Sequence, residues 1–132
     1  MKHDESKIGE AITQYLQAQY PGVIYRWDYS AGMPLTLMQG VRMKKLQGKY
    51  SKGFPDLTIF RQIERNNIRY GALFIELKAV NIYKKDGTLK KNEHYEEQFE
   101  VHKKLRKAGY FAEFACGFDE AKKIIDWYLA NR

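Results

Sequence analysis

Two strand-forming runs, Leu57-Thr58-Ile59-Phe60 and Phe74-Ile75-Glu76-Leu77-Lys78, lie on either side of the polar stretch Glu64-Arg65-Asn66-Asn67. Turn chemistry of that kind joins antiparallel strands, so the spacing predicts a hairpin with one arm from Asp56 to about Ile63 and the other from Arg69 to Lys78. A hairpin brings the start of one strand beside the end of the other, which makes Asp56 and Glu76 neighbours despite the twenty positions between them. The second arm alternates with period two. Glu76 and Lys78 project from one face, Ile75 and Leu77 from the other. A half-buried strand beside an all-apolar one is a costly place for charge unless the charges face a cleft, a metal or each other. Two hard carboxylates with open coordination positions suit Mg2+ or Mn2+, and an adjacent ammonium suits a water nucleophile or a scissile phosphate. The plainer alternative is an ordinary ion pair between Glu76 and Lys78 on a half-solvated sheet.

The flanking sequence predicts the remaining elements. Ile8, Ala11, Ile12, Tyr15 and Leu16 recur at helical spacing from Asp4 to about Gln19, with Asp4 or Ser6 as cap and Pro21-Gly22 as stop. Residues 23–29 are rich in β-branched and aromatic side chains and read as a strand. From Ser30 to Gly53 no period is clean, and a long connection with a short helix around Leu37 to Leu46 is expected. Glu93 to Lys107 reads as an amphipathic helix with Tyr95, Gln98, Phe99, His102 and Leu105 on one stripe and Gly109 ending it. A strand over Tyr110–Ala115 follows. Asp119 is then expected to cap a last helix, Glu120 to Ala130, with Trp127 extending to a partner surface. The order α-β-β-β-α-β-α over 132 residues describes one α/β (α+β) domain, a central mixed sheet flanked by helices.

Charge narrows the partner. Lys and Arg total 23 against 16 acids, a formal +7, and such a balance favours polyanions, because each phosphate neutralised releases counterions. An acidic membrane surface would profit too, but no apolar run approaches the ~18 residues of a spanning helix, and the first residues do not read as a signal peptide. The single cysteine, Cys116, excludes an internal disulfide and fits a reducing, cytoplasmic compartment. No second His or Cys stands at ligand spacing for zinc. Arg42, Lys44, Lys45, Lys49 and Lys52, with Tyr50, form a basic segment beside the acidic pair. It reads as a phosphate contact surface, or as a solvated basic loop. The loop from Asn81 to Asn92, with Lys84, Lys85, Lys90 and Lys91, either grips a second backbone segment or is merely solvated.

Pro55-Asp56 followed twenty positions later by Glu76-Leu77-Lys78 resembles the signature of the PD-(D/E)xK nuclease superfamily. The wider wording, Lys52-Gly53-Phe54-Pro55-Asp56-Leu57, Leu73-Phe74-Ile75-Glu76-Leu77-Lys78-Ala79, Gln98 in the following helix and Ala108-Gly109-Tyr110 before the last strand, resembles the virus-type replication-repair nuclease domain, VRR-NUC, over nearly the whole chain. The resemblance implies a restriction-endonuclease-like core. Its metal site would be held by Asp56, Glu76 and the Leu77 main-chain carbonyl, with Lys78 catalytic and Gln98 contacting the site or DNA near it. In related resolvase-like nucleases a first-helix glutamate joins the metal, and Glu10 is the expected residue over Glu5, from its spacing to Ser30-Ala31-Gly32. Ser30 is counted with the DNA contacts. Small stand-alone VRR-NUC proteins, as in phages, look like homodimeric Holliday-junction resolvases, which implies a homodimer acting on branched or four-way DNA. A catalytically silent DNA- or partner-binding module on the same fold is the alternative. Acid/base hydrolysis of a sugar would explain neither the +7 nor the lysine beside Glu76.

Overall fold

The structure, a computed structural model, describes residues 3–28, 37–48, 50 and 52–130. Its elements run α1 (His3–Gln19), β1 (Ile24–Trp27), α2 (Leu37–Leu46), β2 (Leu57–Phe60), β3 (Ile63–Arg65), β4 (Ile68–Tyr70), β5 (Leu73–Lys78), α3 (Glu93–Lys107), β6 (Phe111–Cys116) and α4 (Phe118–Leu129). Four strands form the central sheet in the order β1-β2-β5-β6. β2 is antiparallel to both β1 and β5, whereas β5 and β6 run parallel, so the sheet is mixed. α3 is the crossover that a parallel pair requires.

The hairpin expected from the sequence is present but split. Its tip, β3 and β4, forms a separate two-stranded ribbon turned by Asn66 and Asn67 at φ 53 and 65. Both central residues of a type I′ turn need positive φ, and asparagine tolerates it. The breaks fall at residues 61–62 and 71–72, and tertiary contacts explain them. The hydroxyl of the fully buried Tyr128 donates to the Arg61 carbonyl at 2.6 Å, turning that part of the chain inward. Gly71 donates to the Gly109 carbonyl at 2.9 Å, in a place where a Cβ would stand 3.0 Å from the Tyr110 ring. The ribbon is pinned to α4 by Arg65, whose guanidinium donates to the carbonyls of Trp127, Tyr128 and Ala130 at 3.2, 2.9 and 2.8 Å. Those are the carbonyls a helix C-terminus leaves without partners.

β5 differs from the half-buried strand expected, because helices cover both of its faces. Leu73, Ile75 and Leu77 join Ile12, Leu16, Leu57, Ile59, Ile125 and Tyr128 in the main core under α1 and α4. The opposite row begins with Phe74, which packs with Ala72, Ala112 and Leu105 under α3. Glu76 belongs to this second row and is only 5% exposed. Across the first face, the Tyr15 and Tyr20 hydroxyls donate to Asp126 at 2.5 and 2.7 Å, fastening α1 to α4.

The caps of the two later helices differ. Asn92 caps α3, its side chain accepting from the His94 and Tyr95 amides. Asp119 does not cap α4 as expected: the helix begins at Phe118, two residues before the expected Glu120, Gly117 is its N-cap without any side-chain bond, and Glu120 instead accepts from the Cys116 amide at 2.9 Å. Trp127 packs partly buried against Tyr70 and Phe111 rather than projecting outward.

Candidate metal centre

The β2–β5 register pairs Leu57 with Ile75 and Thr58 with Phe74. Continued by one residue, it sets Asp56 opposite Glu76. The Asp56 carboxylate accepts the Leu77 amide at 2.9 Å through Oδ2, occupying the ladder position that a further β2 residue would have filled. The N–H and C=O of one strand residue point to the same side, so the Leu77 carbonyl is directed toward Asp56 as well, past the end of β2.

Gly53 sets the approach of the chain to this point. Its φ is +83, and a Cβ there would lie 3.2 Å from the backbone of Glu97 and Gln98. A turn pressed against α3 in the left-handed region needs glycine on both counts. The buried Pro55 then leads directly to Asp56.

Around Glu76 the electrostatics are unfavourable to a bare carboxylate. Burial, then the charge of Asp56 and a hydrogen bond to Asp56 that only the protonated acid can donate, push Glu76 up to about 10 against the opposing pull of Lys78; the charge of Glu5 adds to the rise. Lys78 Nζ stands 3.8 Å from Glu76 Oε2, with its side chain only 12% exposed, and it lies 5.0 Å from the centroid of the Tyr95 ring. One amine is therefore not enough to keep both carboxyls ionised. Glu76 Oε1 is buried with no hydrogen-bond partner. These features fit a hard divalent cation: a buried oxygen lacking a partner, a second carboxylate so close that the pair retains a proton, and a main-chain carbonyl aimed the same way. Among the described residues no group of three His, Cys, Asp or Glu side chains converges on one point, so the oxygens gathered here are those of two carboxylates and the backbone.

The other expected site residues are distributed unevenly. Gln98 is partly buried on α3, one turn from Tyr95, and its Oε1 has no hydrogen-bond partner. Glu10 is exposed, and the α1 carboxylate whose charge acts on Glu76 is Glu5. Five residues along a helix is a rotation of ~140°, so the two glutamates look in different directions. Spacing along α1 could rank them only once the face turned to β5 was known. Arg42 and Lys45 are exposed on α2. Lys52 is exposed and pairs with Glu97 on α3 at 3.4 Å. Tyr50 is exposed, with Lys104 Nζ 5.9 Å from its ring centroid. Ser30, Lys49 and the Lys44 side chain lie outside the described residues. Tyr95, the seat of Lys78, stood on the predicted α3 stripe as a packing residue, and nothing in the sequence separated it from its neighbours.

The class that these elements define is an α+β fold whose mixed central sheet, flanked by helices, carries an acidic pair and a lysine on adjacent strands. Among solved structures, the chain matches one described as a VRR_NUC domain protein with a TM-score of 0.62 and 21% identity, over 98% of this chain and 90% of that one. At that identity the likeness establishes the fold alone, the one that this VRR_NUC domain protein adopts. No family model and no curated protein matches the sequence. No helix among the described residues is long and apolar enough to cross a membrane.

Proposed function

We propose that the chain is a metal-dependent endonuclease that hydrolyses phosphodiester bonds in DNA. The observation that carries this reading is the Asp56–Glu76 pair, two carboxyls on adjacent strands where burial first, and Asp56 second, push Glu76 up to about 10, with an orphaned buried oxygen and Lys78 beside them. Asp56, Glu76 and the Leu77 carbonyl would hold Mg2+ or Mn2+, with α1 adding longer-range negative charge from Glu5 rather than a third carboxylate ligand. Such an ion supplies Lewis acidity, which polarises the phosphate and lowers the pKa of a bound water.

The chain's own residues do the rest. Asp56 is fixed by the Leu77 amide, so its free oxygen has one orientation, and Glu76 is fixed by burial under α3. Lys78, seated on the Tyr95 ring, places positive charge where the attacked phosphate gathers negative charge. Gln98, on the same helix face as Tyr95, offers an amide to the water or to the DNA backbone. Arg42, Lys44, Lys45, Lys49, Tyr50 and Lys52, with Ser30, bind phosphates without reading sequence. By analogy with small stand-alone domains of this kind, the substrate is branched DNA, a four-way junction above all, cut by a homodimer that provides two sites for two nicks. The compartment is the cytoplasm.

The test is a cleavage gel on four-way junction, flap, linear duplex and single strand, each with Mg2+, Mn2+ or chelator. Divalent-dependent nicking of junctions, abolished by Asp56→Asn in a folded variant, is expected. Equal cutting of linear duplex removes the junction preference. Salt-sensitive binding without cleavage under any metal points to the silent binding module instead.

A further inference from the structure

Residues 82–90 form an ordered basic hairpin that the proposed chemistry does not use. Ile82 is fully buried at its base, and the Lys90 amide donates to the Ile82 carbonyl at 2.8 Å. Tyr83 bridges Leu89 in antiparallel fashion. At the tip, Lys84 donates to the Thr88 carbonyl at 2.7 Å and Gly87 to the Lys84 carbonyl at 2.9 Å. Gly87 takes φ +87, the left-handed position that closes a three-residue loop. Asp86 accepts both the amide and the hydroxyl of Thr88, at 3.0 and 2.6 Å, and those bonds hold its carboxyl below the usual range. Lys90 Nζ is tied back to the Asn81 carbonyl at 2.9 Å. The polar groups of the loop are thus largely committed to its own shape, and Lys84, Lys85 and Lys91 are left exposed at the surface.

Lys52, Arg69, Lys103, Arg106 and Lys122 sit in ion pairs with carboxylates. Among the described residues none of the hairpin lysines does. A shaped turn that gathers like charges is a surface suited to a polyanion.

Location supplies the rest. The hairpin leaves β5 just after Lys78 and returns to Asn92, the cap of α3. Tyr83 is pushed up to about 12 by burial and then by Glu113, Cys116 and Glu120, which places the hairpin base beside the β6 edge. Lys52, paired with Glu97 of α3, stands at the head of β2. With strands ~4.8 Å apart, a point between β2 and β5 lies roughly 10 to 12 Å from a hairpin next to β6. The major groove of B-DNA is about 12 Å wide.

We propose that Lys84, Lys85 and Lys91 bind the phosphates of the strand facing the one attacked, so that the chain holds duplex across a groove. This rests on the nuclease reading for its choice of attacked strand. The experiment is fluorescence-anisotropy binding of labelled linear duplex in EDTA across a range of NaCl, comparing the full chain, the triple variant K84A/K85A/K91A and a charge-matched control, R69A/K107A/K123A. Each lost phosphate contact lowers the salt slope by about 0.9 on duplex and weakens binding roughly eightfold at 0.1 M salt. The hairpin variant is expected to lose two to three units of slope with an unchanged thermal melt, while the control loses less than one. Equal losses in both variants would show a general charge effect and overturn the proposal, as would an unchanged hairpin variant. An equal loss of affinity for single-stranded DNA of the same length overturns the placement on the facing strand. Since no step of this assay involves cleavage, an inactive wild type would sink the nuclease reading and leave the hairpin result standing.

Discussion

Replacing Glu76 with glutamine should stabilise the metal-free protein at neutral pH while removing cleavage, and the size of the gain follows from the site. In the folded chain Glu76 is pushed up to about 10 from an ordinary 4.5, first by burial and then by Asp56, with Glu5 adding and Lys78 opposing. At pH 7 folding must therefore return a proton to a carboxyl that is ionised in the unfolded chain. Taking it up 2.5 units above 4.5, at about 1.4 kcal/mol per unit, costs about 3 kcal/mol. A raised pKa means that the unfolded state binds fewer protons between pH 4.5 and 10, so this contribution is fully favourable below 4.5 and is lost as pH rises. Glutamine carries no proton to titrate, keeps the shape, and can donate to Asp56 as the protonated acid does.

The assay is urea unfolding in EDTA at half-unit steps from pH 4.5 to 8, wild type against E76Q. Their difference isolates Glu76 from every other titrating group. It should be near zero at pH 4.5 and grow in favour of E76Q by about 1 kcal/mol per pH unit. Added Mn2+ should then raise the wild-type melting temperature and leave E76Q unmoved. A difference curve flat in pH would refute the reasoning, because it would mean that Glu76 stays ionised in the metal-free fold.

Three other outcomes follow from the same geometry. Burial, aided by Arg106 and Lys78, pushes His102 down to about 4, so the unfolded state binds more protons between pH 4 and 6.5, stability rises with pH across that window, and His102→Phe should remove up to about 3 kcal/mol of that rise in urea titrations. Arg65→Ala strips the donors from three carbonyls at the end of α4 and should cost about 2 kcal/mol by chemical denaturation. Gly53→Ala forces a side chain into φ +83 against the α3 backbone; a loss of about 1 to 2 kcal/mol is expected, together with a smaller Mn2+-induced shift in melting temperature, because Asp56 lies three residues downstream.

Short-range sequence writes the hairpin and its turn, but not the final register of the site. Asn66-Asn67 fixes the turn, whose register pairs Ile63 with Tyr70 and, continued, would set Asp56 opposite Leu77; a one-residue shift across the breaks moves β2 and β5 to the Leu57–Ile75 register that brings Asp56 to Glu76. The periodicity of residues 93–107 also located α3 at its observed bounds. What escaped depends on packing between distant elements. The breaks in the hairpin answer to the Tyr128 hydroxyl and to the close approach of Tyr110 at Gly71, neither of which leaves a local pattern. Which of Glu5 and Glu10 faces the sheet depends on the side of α1 that meets β5, and Glu5 is the less exposed of the two. The alternation of residues 74–78 was read as one wet face and one dry face, yet α3 closes the supposedly wet one, and Glu76 is far more deprived of water than a half-solvated strand would leave it.

That closure separates stability from function across the thickness of one sheet. Under α1 and α4 the core is apolar and its buried polar groups are partnered, as with Asp126 between two tyrosines and Tyr128 on the Arg61 carbonyl. On the α3 side stand the three buried side-chain atoms that lack any partner among the described residues: Glu76 Oε1, Gln98 Oε1 and His102 Nε2. Leaving such groups unpaired costs about 1 to 3 kcal/mol each, so the α3 layer must be held by strength drawn from the opposite face. Substitutions that relieve these atoms should stabilise the metal-free protein and weaken its response to divalent ions. Substitutions in the α1–α4 face should lower stability without altering that response until the sheet itself gives way.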